Sequence, residues 1–204
     1  MLASNLDIEP TDTAGLIKAA RENGVDLVVV GPEAPLAGGI TDRFQEAGIP
    51  IFGPTQSAAT IESSKVFARE LMQKYQIPCA HGTSFSDYNS AKEHLLEHPP
   101  PVVIKADGLA AGKGVTVAST LAEAEEALYL TMVDRIYGPA GDRVIIEECL
   151  IGKEMSAFAF TDGDTVVPIV PACDYKPVYD NNRGPNTGGM GSYSPPHFTT
   201  RELE

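Results

Sequence analysis

Positive charge is scarce in this chain. Its 204 residues hold 15 Lys and Arg against 28 Asp and Glu, a formal net charge of -13 at pH 7, which excludes a role needing a broad basic surface along DNA or RNA. Cationic function must therefore be local. Cysteine is sparse as well: Cys79, Cys149 and Cys173 are odd in number, far apart and without metal-ligand spacing. That pattern fits reduced thiols in a cytoplasmic protein rather than a disulfide framework or a zinc site. No apolar run approaches the ~18 residues of a membrane span, and the acidic N-terminus, without an early basic cluster, does not read as a signal peptide. Internal repeats and low-complexity tracts are missing too. What is present is a hydrophobic content of 43%, enough for a globular core.

Around one stretch, Val102 to Ala118, the rest can be arranged. Val102-Val-Ile104 is a short β-branched run closed by Lys105; Gly108, Gly112 and Gly114 follow, then a second run, Val115-Thr-Val117. This spells strand, glycine loop, strand. Glycines let backbone N–H groups approach a ligand closely, so the loop with Lys105 and Lys113 can wrap a polyphosphate; an ordinary hairpin with solvated lysines is the alternative. It is not a P-loop, because Gly108 to Gly112 encloses three residues rather than four and Gly114 stands where the hydroxyl belongs. Nor is it a dinucleotide fingerprint, which must open a helix where Val-Thr-Val predicts a strand.

Upstream, Leu16, Ile17 and Ala20 mark a helix ending at Asn23-Gly24, and Asp26 to Val30 reads as a buried strand. A second helix, entered through Pro35 and carrying Ile40 and Phe44, stops at Gly48 before the strand Ile49 to Phe52. Helical crossovers between short strands predict a parallel sheet. Glu33, after the first strand's Gly31-Pro32 turn, either points into a crevice at the sheet's carboxyl edge or is a solvated loop acid. A helix from about Ser64 to Tyr75 has Phe67, Leu71 and Tyr75 spaced four apart as its apolar face. Lys65 in its first turn opposes the helix dipole, which makes sense if both face an anion; otherwise the lysine turns to water.

Asp87 to Leu96 is a further helix, capped by Asp87 or Asn89, and Thr120 with Glu123 makes a capping box for another. Arg143 to Ile146 is a strand ending in Glu147-Glu148, adjacent acids that point to opposite faces, so at most one meets a ligand. Met155 to Phe160 and Thr165 to Ile169 form a hairpin about Asp162-Gly163. Pro171 to Ser194 reads as a long loop rich in Asp, Asn, Gly and Pro, either ordered near a ligand or a linker.

Five motifs in order, Gly31-Pro-Glu-Ala-Pro-Leu36, Glu62-Ser-Ser-Lys65, Lys105-Ala-Asp-Gly-Leu-Ala-Ala-Gly-Lys-Gly114, Glu147-Glu148-Cys-Leu150 and Gly184-Pro-Asn-Thr-Gly-Gly-Met-Gly191, give the chain its resemblance to the phosphoribosylamine-glycine ligase family. The resemblance implies an α/β chain of ATP-grasp fold, with residues 1–58 the remainder of a small parallel-sheet domain and 59–204 the ATP-grasp region. Within the latter, a lid would span about 83–148 and the start of a central domain about 149–204. The implied reaction phosphorylates glycine with ATP and passes the glycyl group to 5-phosphoribosylamine in purine biosynthesis. Lys65 and Lys105 would hold the triphosphate under Gly108, Gly112, Lys113 and Gly114, excluding water that would hydrolyse the acyl phosphate. Glu147 or Glu148 would take the adenosine, and the backbone of Cys149 and Leu150 the adenine edge. Glu33, Asp174, Lys176, Asn186, Thr187, Gly188, Gly189, Met190 and Gly191 would contact phosphoribosylamine and glycine.

Departures from the family pattern carry expectations of their own. The chain begins after the family's first strand and Gly-rich turn and stops before the segment that ligates Mg2+ or Mn2+, so no metal ligand is expected in it. Cys173-Asp-Tyr-Lys-Pro177 replaces a usual Gln-Asp-His-Lys-Arg, keeping Asp174 and Lys176. An interior fragment, incomplete for catalysis by itself, is the expectation. Another ATP-grasp carboxylate-amine ligase would leave two of the motifs unexplained; a noncatalytic nucleotide-binding module is the reading from a different class.

Overall fold

A computed structural model describes residues 3–110, 113–181 and 183–200. Its first helix begins where Asp12 accepts the Gly15 N–H at 3.0 Å, a side-chain cap for α1 (Thr13–Glu22). Then come β1 (Val28–Val29), α2 (Glu33–Ala37), α3 (Ile40–Glu46), β2 (Ile51–Phe52) and α4 (Gln56–Ser63). As the crossover pattern requires, β1 and β2 pair in parallel. Ala20, Ile40, Phe44 and Ile49 form the core beneath them.

Two expectations for this region fail. The strand expected over Asp26 to Val30 shrinks to two residues, and it is not buried: Leu27 is 56% and Val29 66% exposed. A β-branched apolar run signals strand without saying how many of its faces are covered. The single helix through Pro35 is two, divided at Gly38-Gly39, where Gly39 takes a φ of +81° that a continuing helix cannot use.

α5 (Lys65–Lys74) leads into an antiparallel sheet built from β3 (Gly82–Phe85), β4 (Val102–Ala106), β5 (Val115–Ala118) and β6 (Val144–Glu148), in the order β3-β6-β4-β5. α6 (Tyr88–Glu97) and α7 (Leu121–Leu128) cover one face, burying Ala91, Leu95 and Leu128 against Val102, Ile104, Val144 and Ile146. Asp87 caps α6, and Thr120 with Glu123 forms the expected capping box on α7. Strand alternation turns Val102, Ile104 and Ala106 into the core and Val103 and Lys105 to the other face. The apolar face assigned to α5 is wrong. Phe67 and Tyr75 are exposed, and the helix buries Val66 and Arg69 instead, because its buried side packs on a polar cluster.

β7 (Ser156–Thr161) and β8 (Val166–Asp174) make the expected hairpin, whose turn is held by the Asp162 carboxylate accepting from Asp164 and Thr165 N–H. Pro171 to Ser194 is not one long loop. β8 continues to Asp174, β9 (Pro177–Tyr179) pairs with β10 (Arg183–Asn186), and β11 (Ser192–Tyr193) returns to β8. Phe158, Phe160, Val166, Val167, Ile169 and Val170 of the hairpin are exposed. Among the described residues, no helix is long and apolar enough to cross a membrane.

Candidate functional site

Sheet register sets the first group of side chains. Across the β4–β6 pair Lys105 lies opposite Ile145 and Val103 opposite Glu147, so Lys105 and Glu147 share the face opposite α6 and α7, one step apart. Lys105 Nζ meets Glu147 Oε2 at 2.5 Å. The other oxygen of Glu147 accepts from Arg69 Nη1 at 2.8 Å. Arg69 also donates from Nε to the Gly82 carbonyl at 3.2 Å and from Nη2 to the Ala80 carbonyl at 2.5 Å. Glu148 points the other way, exposed, its Oε1 accepting the His81 backbone N–H at 2.7 Å. The two neighbouring acids thus separate as strand alternation demands, and Glu147 is the one beside the lysine.

The glycine loop hangs from a second cluster. Its root is closed by Ala106 N–H donating to the Gly114 carbonyl at 2.8 Å, and Asp107 N–H donates to the Arg143 carbonyl at 3.0 Å. The Asp107 carboxylate, 5% exposed, pairs with Arg143 Nη2 at 2.5 Å. It also accepts from Ser64 Oγ at 3.0 Å and from the Val66 N–H at 3.1 Å. The start of α5 is thereby fastened to the loop, and Lys65 Nζ, one residue past the Ser64 cap, donates to the Gly108 carbonyl at 2.8 Å. Burial pushes the Lys65 pKa down, opposed by the charges of Asp107 and Glu62. Gly108 adopts a φ of +148°, and a Cβ there would stand 2.9 Å from the Ala140 Cβ. Gly114 is buried against the Ala106 and Ala110 side chains. Lys113 is exposed, its carbonyl accepting from the Tyr137 hydroxyl at 2.8 Å. Gly112 lies outside the described residues.

Beyond β6 the chain enters a second group. Cys149 is half-buried and Leu150 exposed. Leu150, Lys153, Glu154, Ser156, Asp174 and Lys176 line a cavity of about 420 Å³. Asp174 holds Lys176 at 2.7 Å and raises its pKa. The glycine-rich segment folds back on this pair. Thr187 donates both N–H and Oγ1 to the Lys176 carbonyl, each at 2.8 Å, and its Oγ1 accepts the Gly189 N–H at 3.0 Å. Met190 N–H donates to the Tyr175 carbonyl at 2.7 Å, and Tyr175 N–H to the Gly191 carbonyl at 2.9 Å. Asn186 ends β10; Gly188, Gly189, Met190 and Gly191 are exposed. Glu33 opens α2 with its side chain exposed and is not among the residues these contacts draw together.

Reading the sequence alone missed Arg69, Asp107, Arg143 and the Lys153-Glu154 wall. One signal was available: Arg69 follows Lys65 by four residues, so both occupy one side of α5. Chemically, the first group offers two lysines and a glycine loop at the start of a helix, an arrangement suited to a polyphosphate. Among the described residues, no set of three or more His, Cys, Asp or Glu is arranged to hold a metal ion.

Comparison with known proteins identifies the family. Residues 1–62 match the family model of the phosphoribosylglycinamide synthetase N domain, and 63–204 that of its ATP-grasp (A) domain. The phosphoribosylamine–glycine ligase of Vibrio vulnificus (strain YJ016) is 49% identical over 199 residues, 98% of this chain and 46% of that protein. That of Caldanaerobacter subterraneus subsp. tengcongensis is 49% identical over 203 residues, 99% of this chain and 49% of that protein. The crystal structure of the Thermotoga maritima phosphoribosylamine–glycine ligase superimposes with a TM-score of 0.75 at 33% identity, over 93% of this chain and 45% of that one. A biotin carboxylase from Campylobacter jejuni, 19% identical with a TM-score of 0.69 over 82% of this chain and 38% of its own, shares the fold. The chain spans about half the length of the curated relatives it matches. With the two family models together matching residues 1–204 and the ATP-grasp architecture in place, this chain belongs to the phosphoribosylglycinamide synthetase family.

Proposed function

We propose that this chain supplies the triphosphate clamp and part of the acceptor site of an ATP-dependent ligase joining glycine to 5-phosphoribosylamine. The observation that carries the reading is the placement of two lysines at one glycine loop: Lys65 donates to the loop's Gly108 carbonyl, Lys105 stands on β4 where the chain enters the loop, and Asp107 fastens the loop to the helix that bears Lys65. A glycine carboxylate oxygen attacks the γ-phosphorus of ATP, releasing ADP and forming glycyl phosphate. The phosphoribosylamine nitrogen then attacks the glycyl carbonyl, phosphate leaves, and the nitrogen loses a proton to give glycinamide ribonucleotide. Lys65 and Lys105 balance the charge that builds on the transferring phosphoryl group, and the loop over it keeps water from the acyl phosphate. Of Glu147 and Glu148, the exposed Glu148 is the acid offered to the adenosine, beside the backbone of Cys149 and Leu150, because both oxygens of Glu147 are held by Arg69 and Lys105. Asp174, Lys176 and the Asn186 to Gly191 turn position the amine and the glycine.

ATP-grasp ligases work with Mg2+ or Mn2+, but the described residues do not form a ligand set for either, and no step here runs through the metal. The test is a thermal melt of the chain with and without Mg-ATP, alongside Lys105→Ala. Ligand at ~100 times its dissociation constant adds about 2.7 kcal/mol, a rise of roughly 5–10 °C for a chain of this size. The rise should vanish in Lys105→Ala. Its absence from the unaltered chain refutes the clamp.

A further inference from the structure

Three charged groups meet on the face of the four-stranded sheet opposite α6 and α7, and one carboxylate serves two cations. Glu147 Oε1 accepts from Arg69 at 2.8 Å, and its Oε2 meets Lys105 at 2.5 Å. The side chains of Arg69 and Glu147 are only 6% and 10% exposed, whereas that of Lys105 is 30% exposed. The two cations differ in freedom. Every arm of the Arg69 fork is engaged, on Glu147, the Gly82 carbonyl and the Ala80 carbonyl, and a planar guanidinium so held does not move without breaking all three. Lys105 carries a compact ammonium on a flexible stem, and among the described residues Glu147 is its one ion-pair partner.

A phosphate that draws Lys105 away must leave Glu147 behind. If the lysine were the only counter-charge, its departure would strand an ionised carboxylate in a nearly dry site, which is strongly unfavourable. Glu147 would then hold the lysine against the phosphate. Arg69 removes that obstacle, since Glu147 stays paired whichever way Lys105 turns.

We propose that Arg69 is a positioning residue that frees Lys105 for a triphosphate, keeping Glu147 paired and in place while the lysine moves between carboxylate and phosphate. Lys105 is parked on Glu147 rather than committed to it. This inference rests on the nucleotide-site reading above and adds to it a residue that touches no ligand.

The test compares two ligands on the 204-residue chain, Mg-ATP by titration calorimetry and adenosine by ligand-detected NMR. The proteins are the unaltered chain, Arg69→Lys, Arg69→Met and the double variant Arg69→Met/Glu147→Gln, each with a ligand-free melt. The ratio of the adenosine to the Mg-ATP dissociation constant isolates what the triphosphate adds. Arg69→Met should lower this ratio at least ~10-fold, because Lys105 stays with its carboxylate. Arg69→Lys should keep it, and the double variant should restore it, since a neutral amide no longer holds the lysine. A general structural defect would weaken both ligands alike and would not be undone by Glu147→Gln. An unchanged ratio in Arg69→Met, or a ratio still low in the double variant, overturns the proposal. If Arg69→Met does not fold, the double variant, which buries no lone charge, decides by the same ratio. A chain that folds and shows no triphosphate increment even when unaltered would instead overturn the nucleotide reading, and this inference with it.

Discussion

Asp107 is the most exacting place to test the architecture, because one carboxylate joins the glycine loop, β6 and the start of α5. Replacing it with alanine removes the acceptor for Ser64 Oγ and for the Val66 N–H, and the partner of Arg143. Hydrogen bonds to a charged acceptor contribute roughly 1.5–3 kcal/mol each, and the two here are not independent. The Arg143 pair adds little, because the arginine is 49% exposed and solvent screens it. Together these give about 3 kcal/mol for Asp107→Ala. At roughly 2–4 °C per kcal/mol for a chain of this size, the melting midpoint should fall by roughly 6–12 °C. Asp107→Asn, which keeps an acceptor oxygen without the charge, should fall about half as far. Arg143→Ala should cost no more than about 1 kcal/mol. Differential scanning calorimetry measures all three, and hydrogen exchange adds a local reading: the Val66 amide should lose protection in Asp107→Ala. A midpoint within about 2 °C of the unaltered chain, with Val66 still protected, would refute the claim that this carboxylate fastens the loop to the helix.

Two further outcomes follow from the same geometry. Gly108→Ala places a Cβ 2.9 Å from the Ala140 Cβ at a φ of +148°, so it should destabilise the chain by roughly 1–3 kcal/mol and weaken Mg-ATP; calorimetry showing neither would sink that account. Burial and the neighbouring His98 depress the His94 pKa, so the unfolded chain takes up a proton that the folded one refuses. Stability from this group is therefore complete above about pH 6.5 and declines as pH falls below it, down to the lowered folded-state pKa. His94→Gln should flatten that decline in a series of urea melts, and an unchanged pH profile would reject it.

Much of this molecule is legible one residue at a time. The β4–loop–β5 unit, the capping box of Thr120 and Glu123 and the turn at Asp162-Gly163 follow from periodicity, caps and turn chemistry within short stretches, and the parallel pairing of β1 with β2 from the helical crossover between them. The family, too, was readable, because its motifs are contiguous strings. Other features were decided only when distant segments met. Arg69 and Glu147 are 78 residues apart, and Val66 and Asp107 are 41 apart. The four-residue spacing of Lys65 and Arg69 is the one local signal for the arginine and does not say that it is buried, so the apolar spacing of Phe67, Leu71 and Tyr75 prevailed and pointed to the wrong face. The same holds for Glu147 and Glu148. Alternation says that they part, but only the pairing of β6 with β4 decides that Glu147 stands beside Lys105 and Arg69. Local energies choose helix, strand and turn, whereas burial and charge pairing depend on which surfaces the chain brings together, and that is a property of the assembled sheet.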